Sequence, residues 1–198
     1  MLTLALNIRM QGKLVVIVGG GAVAARKLKT VLMAGAHARV VAREICPEIS
    51  ELKNSEAVEI REGSYMATDL DNAFLAVAAT DDSTTNEKVR GEAEKRGIMV
   101  TVADNPSAGD CTFPVVLQRG DLKIAVSTGG RCPTFAVDVR DQIAGHIGSE
   151  YGVILEQLAA AREKLLTNGS SSTYNATFLR SLAKRLIAEF TERKEPLP

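Results

Sequence analysis

The sequence contains no tryptophan, and only five Phe and three Tyr in 198 residues. Aromatic side chains at 4% of the chain are too few for a platform on which single-stranded bases stack. Charge of one sign is also lacking, because 24 Lys and Arg balance 24 Asp and Glu for a formal net charge of zero. Proteins that coat nucleic acid carry a basic excess, so no nucleic-acid partner is expected. No apolar run approaches the roughly 20 residues of a membrane-spanning helix, and no membrane partner is expected either. Met1 to Arg9 has neither the leading positive charge nor the small-residue cleavage site of a secretory signal, which makes the cytoplasm the expected compartment. The three cysteines, Cys46, Cys111 and Cys132, are odd in number and form no Cys-x-x-Cys pair. They read as reduced thiols rather than as a disulfide framework or a zinc knuckle. With His37 and His146 the only histidines, no metal site is expected.

What is present is the composition of a folded domain, 45% apolar and 24% charged. Lys13 to Val18 is a continuous apolar run, as in a strand buried on both faces of a parallel sheet. Strand patterns recur at Ala38–Ala42, Ala57–Arg61, Phe74–Ala79 and Ile98–Val102. Helical patterns lie between them at Ala22–Ala34, Pro47–Lys53 and Ser83–Arg96, and Asp69–Asn72 is a short connection. Alternation of this kind implies an α/β fold, a doubly wound parallel sheet. The pattern changes after Asp104. Phe113–Arg119 and Leu122–Ser127 are strand-like runs joined by Gly120-Asp121, the signal of a primed hairpin turn. Pro133 suits the first turn of a helix, with Val139, Ile143 and Ile147 following at spacing four. From Ser149 two amphipathic helices are expected on either side of the loop Asn168–Thr173. Their apolar stripes run through Tyr151, Ile154, Leu155, Leu158, Leu165 and Leu166, and through Phe178, Leu179, Leu182, Leu186, Ile187 and Phe190. The expected division is residues 1–112, 113–148 and 149–198.

Gly19-Gly-Gly-Ala-Val-Ala24 fits G-x-G-x-x-A directly between a strand and a helix. Gly19 permits the tight turn, Gly21 lets backbone approach a pyrophosphate, and Ala24 allows close helix packing. The same residues can also form a ligand-free turn. The candidate dinucleotide residues here are Gly19, Gly21, Ala22 and Val23. At the end of the second strand, Glu44 suits a ribose hydroxyl and Arg43 a 2′-phosphate; both also fit as solvated loop charges. No Tyr-x-x-x-Lys pair and no Walker loop occur. Asp104 ends a strand at the edge where open α/β sheets bind ligands, and it equally fits an Asx-type turn in Asp-Asn-Pro. Asp110 reads as a loop acid. Asp81 and Asp82 end another strand and suit the cap of the next helix.

Taken together, the motifs resemble one family. Val18-Gly-Gly-Gly-Ala-Val-Ala-Ala-Arg-Lys27, Ala78-Ala-Thr-Asp-Asp82 with Asn86, Val102-Ala-Asp-Asn-Pro106 through Phe113-Pro114, and Arg119-Gly-Asp-Leu-Lys-Ile-Ala-Val-Ser-Thr-Gly-Gly-Arg-Cys-Pro133 are similar, in order and spacing, to the motifs of the precorrin-2 dehydrogenase and sirohydrochlorin ferrochelatase family, the N-terminal part of sirohaem synthase. Cys132 stands where Ser is usual, and Thr101 where Asn is common. The resemblance implies a Rossmann-like NAD-binding domain over residues 1–112, a dimerisation segment over 113–148 and a helical C-terminal domain over 149–198. It implies an NAD-dependent enzyme that oxidises precorrin-2 to sirohydrochlorin, as a cytoplasmic homodimer. Some members also insert ferrous iron, a substrate rather than a resident metal. By resemblance Asp104 is the general base, Thr80 and Asp81 face the cofactor, and Ser127, Thr128 and Arg131 meet the tetrapyrrole and its carboxylates. The family's large methyltransferase domain has no counterpart, so methylation is not expected. A rival reading is a module that senses NAD without turnover.

Overall fold

The computed structural model describes residues 3–167 and 172–192, in two compact units that meet in sequence between Phe113 and Pro114. The first unit is built on five parallel strands: β1 (Leu14–Val18), β2 (His37–Ala42), β3 (Val58–Glu62), β4 (Leu75–Ala78) and β5 (Met99–Val102). Their spatial order is β3-β2-β1-β4-β5. The chain winds outward from β1 through β2 to β3, then crosses to start again at β4 on the other side of β1. β1 and β4 therefore flank the point where the winding reverses, and parallel pairing puts the carboxyl ends of all the strands on one edge.

Alternation along the strands builds two cores. Val15 and Ile17 of β1 face α1 (Ala22–Met33), which buries Ala24, Ala25, Leu28 and Val31 against them, and α2 (Pro47–Ser50), which adds Ile49. Val16 and Val18 face the opposite layer, where α3 (Ser83–Lys95) buries Val89 and Ala93. α2 is shorter than the Pro47–Lys53 expected from sequence. Only Ile49 anchors it fully, and the Ser55 hydroxyl accepts from Ala57 N–H at 3.3 Å, turning the chain toward β3.

The connection expected at Asp69–Asn72 is a 3-10 turn, Ala67–Leu70, with an unanticipated ion pair. Arg61 of β3 donates through Nε to Asp69 at 2.6 Å, and Asp69, 4% exposed, also accepts from Met66 N–H at 2.7 Å. Beside it Tyr65 packs on the α3 core with a buried hydroxyl that has no partner among the described residues. Burial first, then the Glu92 carboxylate, pushes its pKa up to about 12, against the pull of Arg96. An unfolded tyrosine titrates near pH ~10, so the contribution is fully present below that pH and is lost as pH rises toward the folded value. Tyr65→Phe is therefore expected to lose less stability than the wild type between neutral pH and pH ~11, and to be up to about 1 kcal/mol more stable at neutral pH. Urea unfolding at the two pH values checks this; equal alkaline losses would contradict it.

The second unit pairs β6 (Val115–Arg119) with β7 (Leu122–Val126) in an antiparallel hairpin whose Gly120 has φ 58. α4 (Pro133–His146) takes Pro133 at its first position, and α5 (Glu150–Thr167) packs with α6 (Ser172–Glu192). Arg119 donates to the Ile147 carbonyl at 2.9 Å, and Gly152 of α5 is so near the hairpin turn that a Cβ would stand 2.9 Å from the Arg119 carbonyl oxygen. The stripes expected in the tail are only partly covered: Ile154 and Leu186 are buried, whereas Leu166 is 58% and Phe178 42% exposed. Of the expected loop, 168–171 lie outside the described residues, and Ser172 and Thr173 already belong to α6. Among the described residues no helix is long and apolar enough to cross a membrane.

Candidate dinucleotide and base site

The glycine turn leaves β1 at the winding reversal and enters α1. Its three glycines have different jobs. Gly19 lies at φ 132, and a Cβ there would stand 2.2 Å from the Ala79 carbonyl oxygen, so backbone packs on backbone against the end of β4. Gly20 touches the loop after β2: a Cβ would meet the Glu44 carbonyl oxygen at 1.9 Å, and Cys46 N–H donates to the Gly20 carbonyl at 2.8 Å. A Cβ on Gly21 would meet nothing within 4 Å.

Gly21 is the N-cap of α1. No side chain caps the helix, and its first turn holds no acidic residue. The first amides of α1 therefore face open space at the positive end of the helix dipole, which Ala22 and Val23 open. This is a fit for a pyrophosphate group: donors without side-chain competitors, and a Cα that a ligand can approach closely. Arg43 and Glu44 follow β2 at the same edge with exposed side chains, and Arg43 Nε donates to Ser64 Oγ at 3.2 Å.

Thr80 and Asp81 follow β4, and Asp104 follows β5. Asp82 caps α3, accepting from Thr84 N–H at 3.0 Å and Thr85 Oγ1 at 2.6 Å; these bonds, the Thr85 hydroxyl first, hold its carboxyl below the usual range. Asp81 is exposed. Asp104 is exposed and accepts at Oδ1 from Asn86 Nδ2 at 3.0 Å. Asn86 of α3 also receives Thr80 N–H at 3.1 Å and Thr80 Oγ1 at 2.8 Å, and gives its other N–H to the Thr80 carbonyl at 3.1 Å. One buried amide thus fastens the end of β4 to the end of β5. In the sequence Asn86 stands out only as part of a motif, with nothing to give it a role. Asp110 is tied to the sheet edge instead, accepting from Val100 N–H at 3.0 Å.

In the second unit Ser127, Thr128 and Arg131 form the turn ahead of α4. Thr128 Oγ1 donates to the Cys132 carbonyl at 3.0 Å and accepts from Cys132 N–H at 3.2 Å, and Ser127 Oγ accepts from Gly129 N–H at 3.2 Å. Both hydroxyls shape a turn that carries Gly129 and Gly130 at φ 61 and 78. Arg131 is exposed, with no ion-pair partner among the described residues. At the α4 N-cap, the Thr134 hydroxyl and then the Phe135 amide hold the Cys132 thiol below its ordinary pKa. Among the described residues no three His, Cys, Asp or Glu side chains gather as a metal site.

A parallel sheet wound outward from β1, with an uncapped glycine turn at its reversal point, defines a dinucleotide-binding domain of the Rossmann class. The family described as putative NAD(P)-binding matches residues 6–115, and the one described as the central part of a sirohaem biosynthesis protein matches residues 119–146. The chain belongs to the putative NAD(P)-binding family, which matches more than half of it. It is 34% identical over 175 residues to the sirohaem synthase of Photorhabdus laumondii, covering 88% of this chain and 37% of that one. It is 41% identical over 136 residues to the sirohaem synthase of Chromobacterium violaceum, covering 69% of this chain and 29% of that one. The chain thus spans about a third of the length of these curated relatives. In fold it matches the solved structure of SirC, a precorrin-2 dehydrogenase, with TM-score 0.76 at 23% identity, over 96% of this chain and 100% of that one.

Proposed function

We propose that this chain is an NAD-dependent dehydrogenase that oxidises precorrin-2 to sirohydrochlorin in sirohaem biosynthesis. The observation that carries the reading is the meeting of two chemistries at one sheet edge. An uncapped glycine turn suited to a pyrophosphate packs on the Ala79–Thr80 segment, and a solvent-facing carboxylate, Asp104, is fastened to that same segment through Asn86. The likeness to SirC, a precorrin-2 dehydrogenase, points to the substrate, and the likeness to sirohaem synthases points to the pathway.

The oxidation removes a hydride and a proton from the tetrapyrrole. NAD would supply the hydride acceptor. The amides at the start of α1 and the bare Cα of Gly21 would hold the pyrophosphate, and Glu44 would meet the ribose hydroxyls, with Arg43 beside it at the same edge. Thr80 and Asp81 would face the cofactor. Asp104 takes the proton on its carboxylate and passes it to water. Arg131 pairs with the substrate's carboxylates, and Ser127 and Thr128 shape the turn that presents it. Residues 113–148 form the contact of a homodimer, and ferrous iron is a second substrate, inserted into the product as its two inner N–H protons are released to water. Three free cysteines support a reducing, cytoplasmic setting.

The test is anaerobic turnover of precorrin-2 with NAD, then addition of ferrous iron. NADH and sirohydrochlorin forming together support the dehydrogenase, and a sirohaem spectrum after iron supports chelation. NAD binding without turnover would instead favour a sensing module.

A further inference from the structure

A buried asparagine in the first turn of a helix is a poor choice on general grounds. It favours helix less than most residues do, and its amide must find partners to leave water without loss. A Leu or Val would pack α3 against the sheet at least as well. Asn86 is 1% exposed, and all four of its hydrogen-bonding positions are used. Two face Thr80 N–H and Oγ1, one the Thr80 carbonyl and the last Asp104 Oδ1. Its amide orientation is fixed by the chemistry of these partners: flipped, it would set N–H against Thr80 N–H and oxygen against both the Thr80 carbonyl and the Asp104 carboxylate. The Thr80 segment is itself pinned, because Gly19 packs on the Ala79 carbonyl. A continuous set of contacts therefore runs from the dinucleotide turn through Ala79, Thr80 and Asn86 to Asp104.

We propose that Asn86 is the positioning residue of this site: its amide holds the Asp104 carboxylate in register with the glycine turn and leaves the second carboxylate oxygen to face substrate. Asn86 acts through Asp104 and touches neither cofactor nor substrate. The inference rests on reading Asp104 as the proton acceptor. It gives the α3 asparagine a task that packing does not require.

The informative change is Asn86→Asp, which keeps shape and keeps an acceptor for Thr80 N–H and Oγ1, but replaces the donating NH2 with an oxygen facing Asp104. The expected result is a fall in kcat of roughly tenfold to a hundredfold, as misplacing a reacting group does, and a smaller change in KM for NAD, because the glycine turn is untouched and Thr80 loses only the donor to its carbonyl while its N–H and Oγ1 keep their acceptor. Thermal unfolding supplies a second readout that does not need turnover. Asn86→Asp should lower Tm by roughly 4 °C more when residue 104 is Asp than in the Asp104→Asn background, where the new amide can donate to the new carboxylate. A kcat retained in Asn86→Asp, or a change confined to KM for NAD, would overturn the proposal. So would equal Tm losses in the two backgrounds, the signature of a residue that only packs. If the wild type oxidises no precorrin-2, the dehydrogenase reading falls by itself, and the Tm comparison still decides whether Asn86 and Asp104 are coupled.

Discussion

Asp104→Asn is expected to bind NAD as the wild type does and to oxidise precorrin-2 roughly 10²–10⁴-fold more slowly, the range that a positioned general base contributes. The amide is nearly isosteric and still offers an oxygen to Asn86 Nδ2, so the loop and the sheet edge remain as they are. What disappears is a group able to take a proton. The dinucleotide turn lies on β1 and α1 and touches β4 rather than Asp104, so its affinity has no reason to move. Separate measurements of NAD binding and of kcat check both halves. A variant that lost NAD affinity, or kept its turnover, would remove Asp104 from the role given to it.

The second large effect separates two glycines two residues apart. Gly19→Ala forces a methyl group into the Ala79 carbonyl and a side chain into the left-handed region. Overpacking and strain, about 1–3 kcal/mol each, sum to a loss of roughly 2–6 kcal/mol, enough to unfold much of a domain of ordinary stability. Gly21→Ala meets no atom within 4 Å and needs no unusual φ. It should fold with Tm unchanged within a few degrees, yet bind NAD at least tenfold more weakly, because its methyl group occupies the space a pyrophosphate needs. Thermal unfolding together with a dinucleotide titration reads both. Gly21→Ala binding NAD normally would mean that the turn is merely a turn.

The order of strands and helices was legible because each signal is local. An apolar run that stops at Gly19, and a hairpin marked by Gly120-Asp121, announce themselves within a few residues. The glycine turn could be located for the same reason. The fastening of the site could not. Thr80 and Asn86 lie at the junction of β4 and α3 whereas Asp104 follows β5, and only the sheet order brings Asp104 to them. In the sequence α3 reads as a polar-faced helix, which hides the burial of Asn86. The Arg61–Asp69 pair was hidden likewise, since charged residues are expected at the surface until a partner is seen. Thr128 illustrates the opposite case: a hydroxyl that sequence similarity offers to the substrate is engaged in shaping the turn before α4, with both bonds to Cys132 backbone. Its neighbour Arg131 is exposed, with no ion-pair partner among the described residues.

The account's central claim is that the glycine turn and Asp104 act as one site on one substrate. A single-turnover experiment tests it most directly. Protein in excess over precorrin-2 is mixed anaerobically with NAD, and NADH and sirohydrochlorin are followed together in the wild type and in Asp104→Asn. The account predicts that the two products appear with one rate constant and in equal amounts in the wild type, and that neither appears on that timescale in the variant although NAD is bound. Sirohydrochlorin forming without NADH, or equal rates in the two proteins, would contradict it.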